Sequence, residues 1–75
     1  MEVKIGVQRT PREIVLESTQ SPDEVEAAVQ DALKDPSGVL ALVDEKGRRV
    51  VVPSALIAYV EIADADHRRV GFAVS

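Results

Sequence analysis

Between Asp44 and Ile62 the chain reads DEKGRRVVVPSALIAYVEI, and Pro53 in the middle of it restricts the fold most. Proline cannot donate to a strand ladder, so the apolar run before it must stop or bend there. Asp44, Glu45, Lys46 and Gly47 have the composition of a hairpin loop, in which glycine supplies backbone freedom. Val50, Val51 and Val52 then favour extended chain. Ser54 to Leu56 fits one short helical turn, and a further strand starts at Ile57 or Ala58. There Ala58, Val60 and Ile62 alternate with Tyr59 and Glu61, a period of two that gives one apolar and one more polar face. The stretch reads as a bent pair of core strands.

The rest of the chain supplies partners for it. Val3, Ile5 and Val7 alternate with Glu2, Lys4, Gly6 and Gln8, the pattern of a half-buried strand. Arg9, Thr10, Pro11 and Arg12 read as a turn, followed by a second alternating run from Glu13 to Ser18, so the two form an antiparallel hairpin with both arginines as solvated charges at its tip. Ser21-Pro22-Asp23-Glu24 is a helix start: Ser21 accepts from an orphan amide, Glu24 reaches back to the cap amide, and proline at the first helical position loses no hydrogen bond. A helix is expected from Pro22 to about Lys34, with Val25, Ala28, Val29, Ala32 and Leu33 on one stripe. Asp23, Glu24, Glu26 and Asp31 take the other face, where they serve capping and solubility. A final strand carries Val70, Phe72 and Val74.

Val39 to Val43 is apolar at every position and predicts a strand buried on both faces. Val50 to Val52 reads the same way. One helix cannot cover both faces of about six short strands, so either the sheet curls toward a barrel or its second face is buried against another copy.

Composition narrows the function classes. A chain of 75 residues is one domain and buries only about 60% of its unfolded surface. It has no cysteine and one histidine, which leaves neither a disulfide nor a thiolate zinc site to staple it. Only Tyr59 and Phe72 are aromatic, few for a single-strand stacking platform. The net charge of −4 opposes general polyanion binding, which rests on excess lysine and arginine. All of that charge lies in residues 1–38, because residues 39–75 balance. No apolar run approaches the roughly 18 residues of a membrane span and no cationic leader precedes one, so a cytoplasmic protein is expected.

Four arginines form the one polar constellation with binding potential. Arg48 and Arg49 follow one turn, Arg68 and Arg69 another. Should the strands on either side of Pro53 pair antiparallel, and the last strand pair with the one ending at Ile62, both doublets reach the same sheet end. Their planar forks suit a phosphate, a carboxylate or an acidic protein surface. Asp44, Glu45, Asp64 and Asp66 reach that end as well and offer local neutralisation. Asp64, Asp66 and His67 lack a recognised ligand spacing and a fourth donor, so no metal is expected. Neither GxxxxGK[ST] nor GxGxxG is present, and no serine stands in a nucleophile elbow. No cofactor and no catalytic residue are assigned.

MEVKIGV, LESTQSPDEVEAAVQDAL, DEKGRRVVVP, IAYVEI and RRVGF together resemble a family of short, uncharacterised actinobacterial proteins classed as a domain of unknown function. The resemblance covers nearly the whole chain. It implies a cytoplasmic protein of this length without an established activity, and it transfers no site residue. VVVPSALIAYVEI alone is similar to the strand, bend and strand of LytTR-type DNA-binding domains, a likeness that supports a β-rich fold and not a DNA site.

These observations predict a single α+β domain over residues 1–75, in the order β-β-α-β-β-β-β, with one helix packed on a twisted, mostly antiparallel sheet. A small, partly closed β-barrel with one helix is the alternative. Strands on either side of the helix could run parallel through a right-handed crossover. The expected function is a noncatalytic interaction or regulatory module, a homo-oligomer that self-associates through a sheet face or edge and docks a protein partner, with Arg48, Arg49, Arg68 and Arg69 as the candidate anion- or partner-binding residues. Nucleotide or nucleic-acid binding through those arginines, and a small enzyme with a site between subunits, are the other two classes.

Overall fold

Alternating apolar residues become strands and the capped, 3.6-periodic stretch becomes the helix. A computed structural model of the chain describes residues 1–63 and, as backbone, residues 69–73. The elements are β1 (Glu2–Val7), β2 (Glu13–Glu17), α1 (Pro22–Lys34), β3 (Val39–Val43), β4 (Arg49–Pro53), a 3-10 turn (Ser54–Leu56), β5 (Ile57–Ala63) and β6 (Arg69–Ala73). The α+β order is the expected one, and the described residues close no barrel.

Two antiparallel sheets divide the strands. One has the order β2-β1-β5-β6, and the other is the hairpin β3-β4. The strands flanking Pro53 therefore do not pair with each other: the proline and the 3-10 turn carry the chain out of the hairpin and into the larger sheet, where β5 lies between β1 and β6. Nor does the helix link parallel strands. β2 and β3 lie in different sheets, and the residues just after them, Ser18 and Asp44, form an antiparallel bridge.

The helix forms as its start signal requires. Ser21 Oγ accepts from the Glu24 N–H at 3.2 Å while Glu24 Oε1 accepts from the Ser21 N–H at 3.1 Å. Val25, Val29 and Ala32 are buried, with Ala28 and Leu33 packed against the core at its margin. Across the large sheet Val3 stands between Leu16 and Ile62, and Ile5 between Ile14 and Val60. Leu40, Leu42 and Val52 close the core from the hairpin side.

Within the single chain the hairpin is buried on one face and not on both. β3 alternates between exposed and buried positions, with Leu40 and Leu42 inward but Val39 and Val43 53% and 48% exposed. Val51 on β4 is 58% exposed. A single helix and the large sheet cover one face of the hairpin, and no described element lies over the other.

The outer face of the large sheet is held differently. The Tyr59 ring lies across Gly6, its cross-strand partner, so closely that a Cβ at Gly6 would meet ring carbons at 2.0–2.5 Å. Here glycine is needed for close approach. The ring position lets the Tyr59 hydroxyl donate to Glu13 Oε2 on the far side of β1.

Two stability results should follow. Ile5→Ala removes a fully buried side chain and should cost about 2–5 kcal/mol in urea unfolding. Ser54→Ala should be neutral or stabilising, because the buried Ser54 hydroxyl has no partner among the described residues and its desolvation is uncompensated. Separately, Gly6→Ala should lower the melting temperature by evicting the Tyr59 ring. In a Tyr59→Ala background the same change should be neutral or favourable, since alanine suits a strand better than glycine, and thermal melts of the four proteins in this cycle read the coupling directly.

Candidate functional site

Asp44 to Arg48 joins β3 to β4 by a loop in which Gly47 adopts φ 84°, the left-handed residue that such hairpin loops require. The loop closes through Asp44 N–H to Arg48 O at 2.7 Å and Gly47 N–H to Asp44 O at 2.8 Å. It then turns its remaining groups onto the outer edge of β2. Glu45 N–H donates to Glu17 O at 2.7 Å, Glu17 N–H donates to Asp44 Oδ2 at 3.3 Å, and Arg48 Nη2 donates to Val15 O at 2.9 Å. Backbone and side chains of the loop thus stand in for a missing strand along part of this edge.

Asp44 is the centre of the junction. Its carboxylate is buried, accepts from the Lys46 N–H at 2.8 Å and lies 3.6 Å from Arg48 Nη2. The Lys46 N–H holds the Asp44 carboxyl below its ordinary 3.8, with the Glu17 N–H and the charges of Arg48 and Lys46 acting the same way and burial opposing them. Beside the loop lies an open cleft of about 350 Å³ lined by Val15, Leu16, Glu17, Asp44, Glu45, Lys46 and Arg48. Its charges are mixed, and Asp44 and Arg48 are engaged with each other and with backbone. Among the described residues no group of acidic or histidine side chains is placed to hold a metal ion.

The four arginines occupy different surroundings. Arg48 is tied to Asp44 and to the β2 backbone. Arg49 begins β4 opposite Val43, on the exposed face of the hairpin. Arg69 pairs with Ala63 at the start of β6, three strand spacings from β2 in the sheet order, or about 14 Å. Arg68, like Asp64, Asp66 and His67, lies outside the described residues. The convergence expected from the sequence relied on β4 pairing with β5, and that pairing is not formed.

Two features depend on strand pairing and on what covers each sheet. Across the hairpin Val39 faces Pro53, Ala41 faces Val51 and Val43 faces Arg49, and all six positions are exposed, so an apolar strip ends on one arginine. Continuous valine looked like burial on both faces; the scarcity of helix to cover them was the contrary signal. On the large sheet, the Tyr59 hydroxyl is raised above its ordinary 10.0 first by its hydrogen bond to Glu13, then by burial and by the charges of Glu13 and Glu61. It is a neutral donor at neutral pH.

A family model described as a protein of unknown function, DUF3107, matches residues 1–73. The chain belongs to DUF3107. The match bears out the resemblance to a domain of unknown function that its motifs carry. No curated protein matches this DUF3107 chain. No helix among its described residues is long and apolar enough to cross a membrane.

The Asp44 junction has a pH signature. A carboxyl whose pKa is depressed by folding contributes stability that is complete above its unfolded value and is lost as pH falls through the folded value. Asp44→Asn should therefore lower the melting temperature at neutral pH, and its deficit against the parent should close as pH drops from about 3.8 downward. A deficit that stayed constant down to pH 2 would remove the ionised carboxylate from the account.

Proposed function

We propose that this chain is a noncatalytic interaction module of the cytoplasm, which self-associates through the outer face of the β3–β4 hairpin. The observation that carries this reading is the exposed strip of Val39, Ala41, Val43, Val51 and Pro53. Exposed apolar residues scattered singly need no explanation, whereas a contiguous patch does. A second hairpin stacked on the first at about 10 Å would cover both strips at once. In a two-fold arrangement the same residues meet on each side, with the central Ala41–Val51 pair near the axis. A five-residue, two-stranded face is smaller than the roughly 800 Å² per partner of a standard interface, so the association is reversible.

A noncatalytic role fits the use made of the hydroxyls. Ser18 Oγ accepts from the Gln20 N–H, Ser21 Oγ caps the helix and Ser37 Oγ donates to Asp35. Each has a structural task.

Sedimentation velocity across a concentration series tests the reading. The parent protein should shift from monomer toward dimer as concentration rises, and Val51→Lys should stay monomeric with an unchanged circular dichroism spectrum, because lysine is tolerated on an exposed strand face. A parent that stayed monomeric at millimolar concentration, or a Val51→Lys variant that dimerised equally well, would discard the strip as the contact.

A further inference from the structure

At the end of the large sheet away from Asp44, the connection between β1 and β2 carries two arginines. Arg9 and Arg12 are both exposed, and neither forms an ion pair among the described residues. This contrasts with Arg48, whose charge is answered by Asp44.

Arg9 is also the one described residue other than glycine with positive φ, at 65°. Most side chains avoid that region, and a tight turn under no other demand takes glycine or asparagine there. An arginine at this position places a long cation at the tip against its backbone preference. The surroundings add two more features. Thr10 Oγ1 accepts from the Arg12 N–H at 3.3 Å, which fixes the start of the second arginine relative to the first. Gln8 N–H donates to Leu56 O at 2.8 Å, which brings Leu56, 42% exposed, alongside the tip.

From this arrangement we propose that the β1–β2 tip docks an acidic peptide segment of a partner protein, its carboxylates held by Arg9 and Arg12 and an aliphatic side chain of the segment resting on Leu56. The planar forks of two arginines match carboxylates in bidentate geometry. The apolar neighbour offers a contact that a peptide can use and an inorganic anion cannot. A long polyanion fits poorly, since its affinity grows with the number of cations engaged, and here Glu13 directly follows Arg12 in a chain of net charge −4. The tip is separate from the β3–β4 strip, so Val51→Lys should leave it intact.

Fluorescence anisotropy with a labelled short peptide of glutamate and aspartate around one central leucine tests the proposal on the full chain. Saturable binding should appear at low ionic strength, weaken with salt, and weaken at least about tenfold in the Arg9→Asn, Arg12→Gln double variant. Leu56→Ser should also reduce it. Because asparagine accepts positive φ, Arg9→Asn alone should hold or raise the melting temperature while it weakens binding. A fall in melting temperature would mean that Arg9 serves the fold. Absence of saturable binding at millimolar protein, equal affinity in the double variant, or tighter binding of a single-stranded oligonucleotide than of the peptide would each overturn the proposal.

Discussion

One helix of 13 residues stands opposite two sheets, and this shortage of cover governs the rest of the structure. The stripe of Val25, Val29 and Ala32 meets the inward residues of both sheets, so each sheet buries one face and shows the other. In the large sheet the exposed face is mostly polar: Glu2, Lys4, Glu13, Tyr59 and Glu61 alternate with the buried positions, with Val15, 44% exposed, among them, and Lys4 lies 3.9 Å from Glu2. In the hairpin it does not. The same alternation there turns Val39, Val43 and Val51 outward, because residues that would be polar on a half-buried strand are valine.

The two sheets also have no ladder in common, which makes the Asp44 junction more than a turn. Outside the shared core, they are joined at the Ser18–Asp44 bridge and by the bonds that Asp44, Glu45 and Arg48 make to Glu17 and Val15. An open strand edge invites pairing with foreign chains, and here the loop occupies part of the β2 edge. Charge at this end is therefore consumed in architecture. The consequence for function is that arginines close together in sequence are unequal: Arg48 stabilises the fold, while Arg49, one residue later, points to the outer face where the valine strip ends.

Local chemistry made much of this legible. The capping box at Ser21 and Glu24 and the proline at position 22 delimit the helix without reference to anything distant, and the helix begins and ends where they imply. Alternation located β1, β2 and β5, and Pro53 marked the bend. Pairing was harder because it is non-local. Nothing within VVVPSALIAYVEI shows that β5 prefers β1, about fifty residues earlier, to its neighbour β4; that preference arises from burying Val60 and Ile62 beside Ile5 and Val3. The valine strip was obscured for a related reason, since a run that is apolar throughout has no period to say which face is wet. The unusual backbone at Arg9 leaves no compositional trace at all.

The hairpin poses a last problem, because a valine-rich ribbon with an exposed face has the composition of an aggregation-prone segment. Features of this chain oppose open-ended pairing. Pro53 removes a donor at the end of β4, Asp35 and Pro36 precede β3, and Arg49 and the charged loop bound the other end. Charges and prolines flanking an apolar strand act as gatekeepers against edge-to-edge growth. They leave the face of the ribbon untouched. Association through a face closes on itself when two copies meet about a two-fold axis, whereas association through an edge can continue indefinitely. The combination of a guarded edge and an apolar face is what a reversible, self-limiting contact requires.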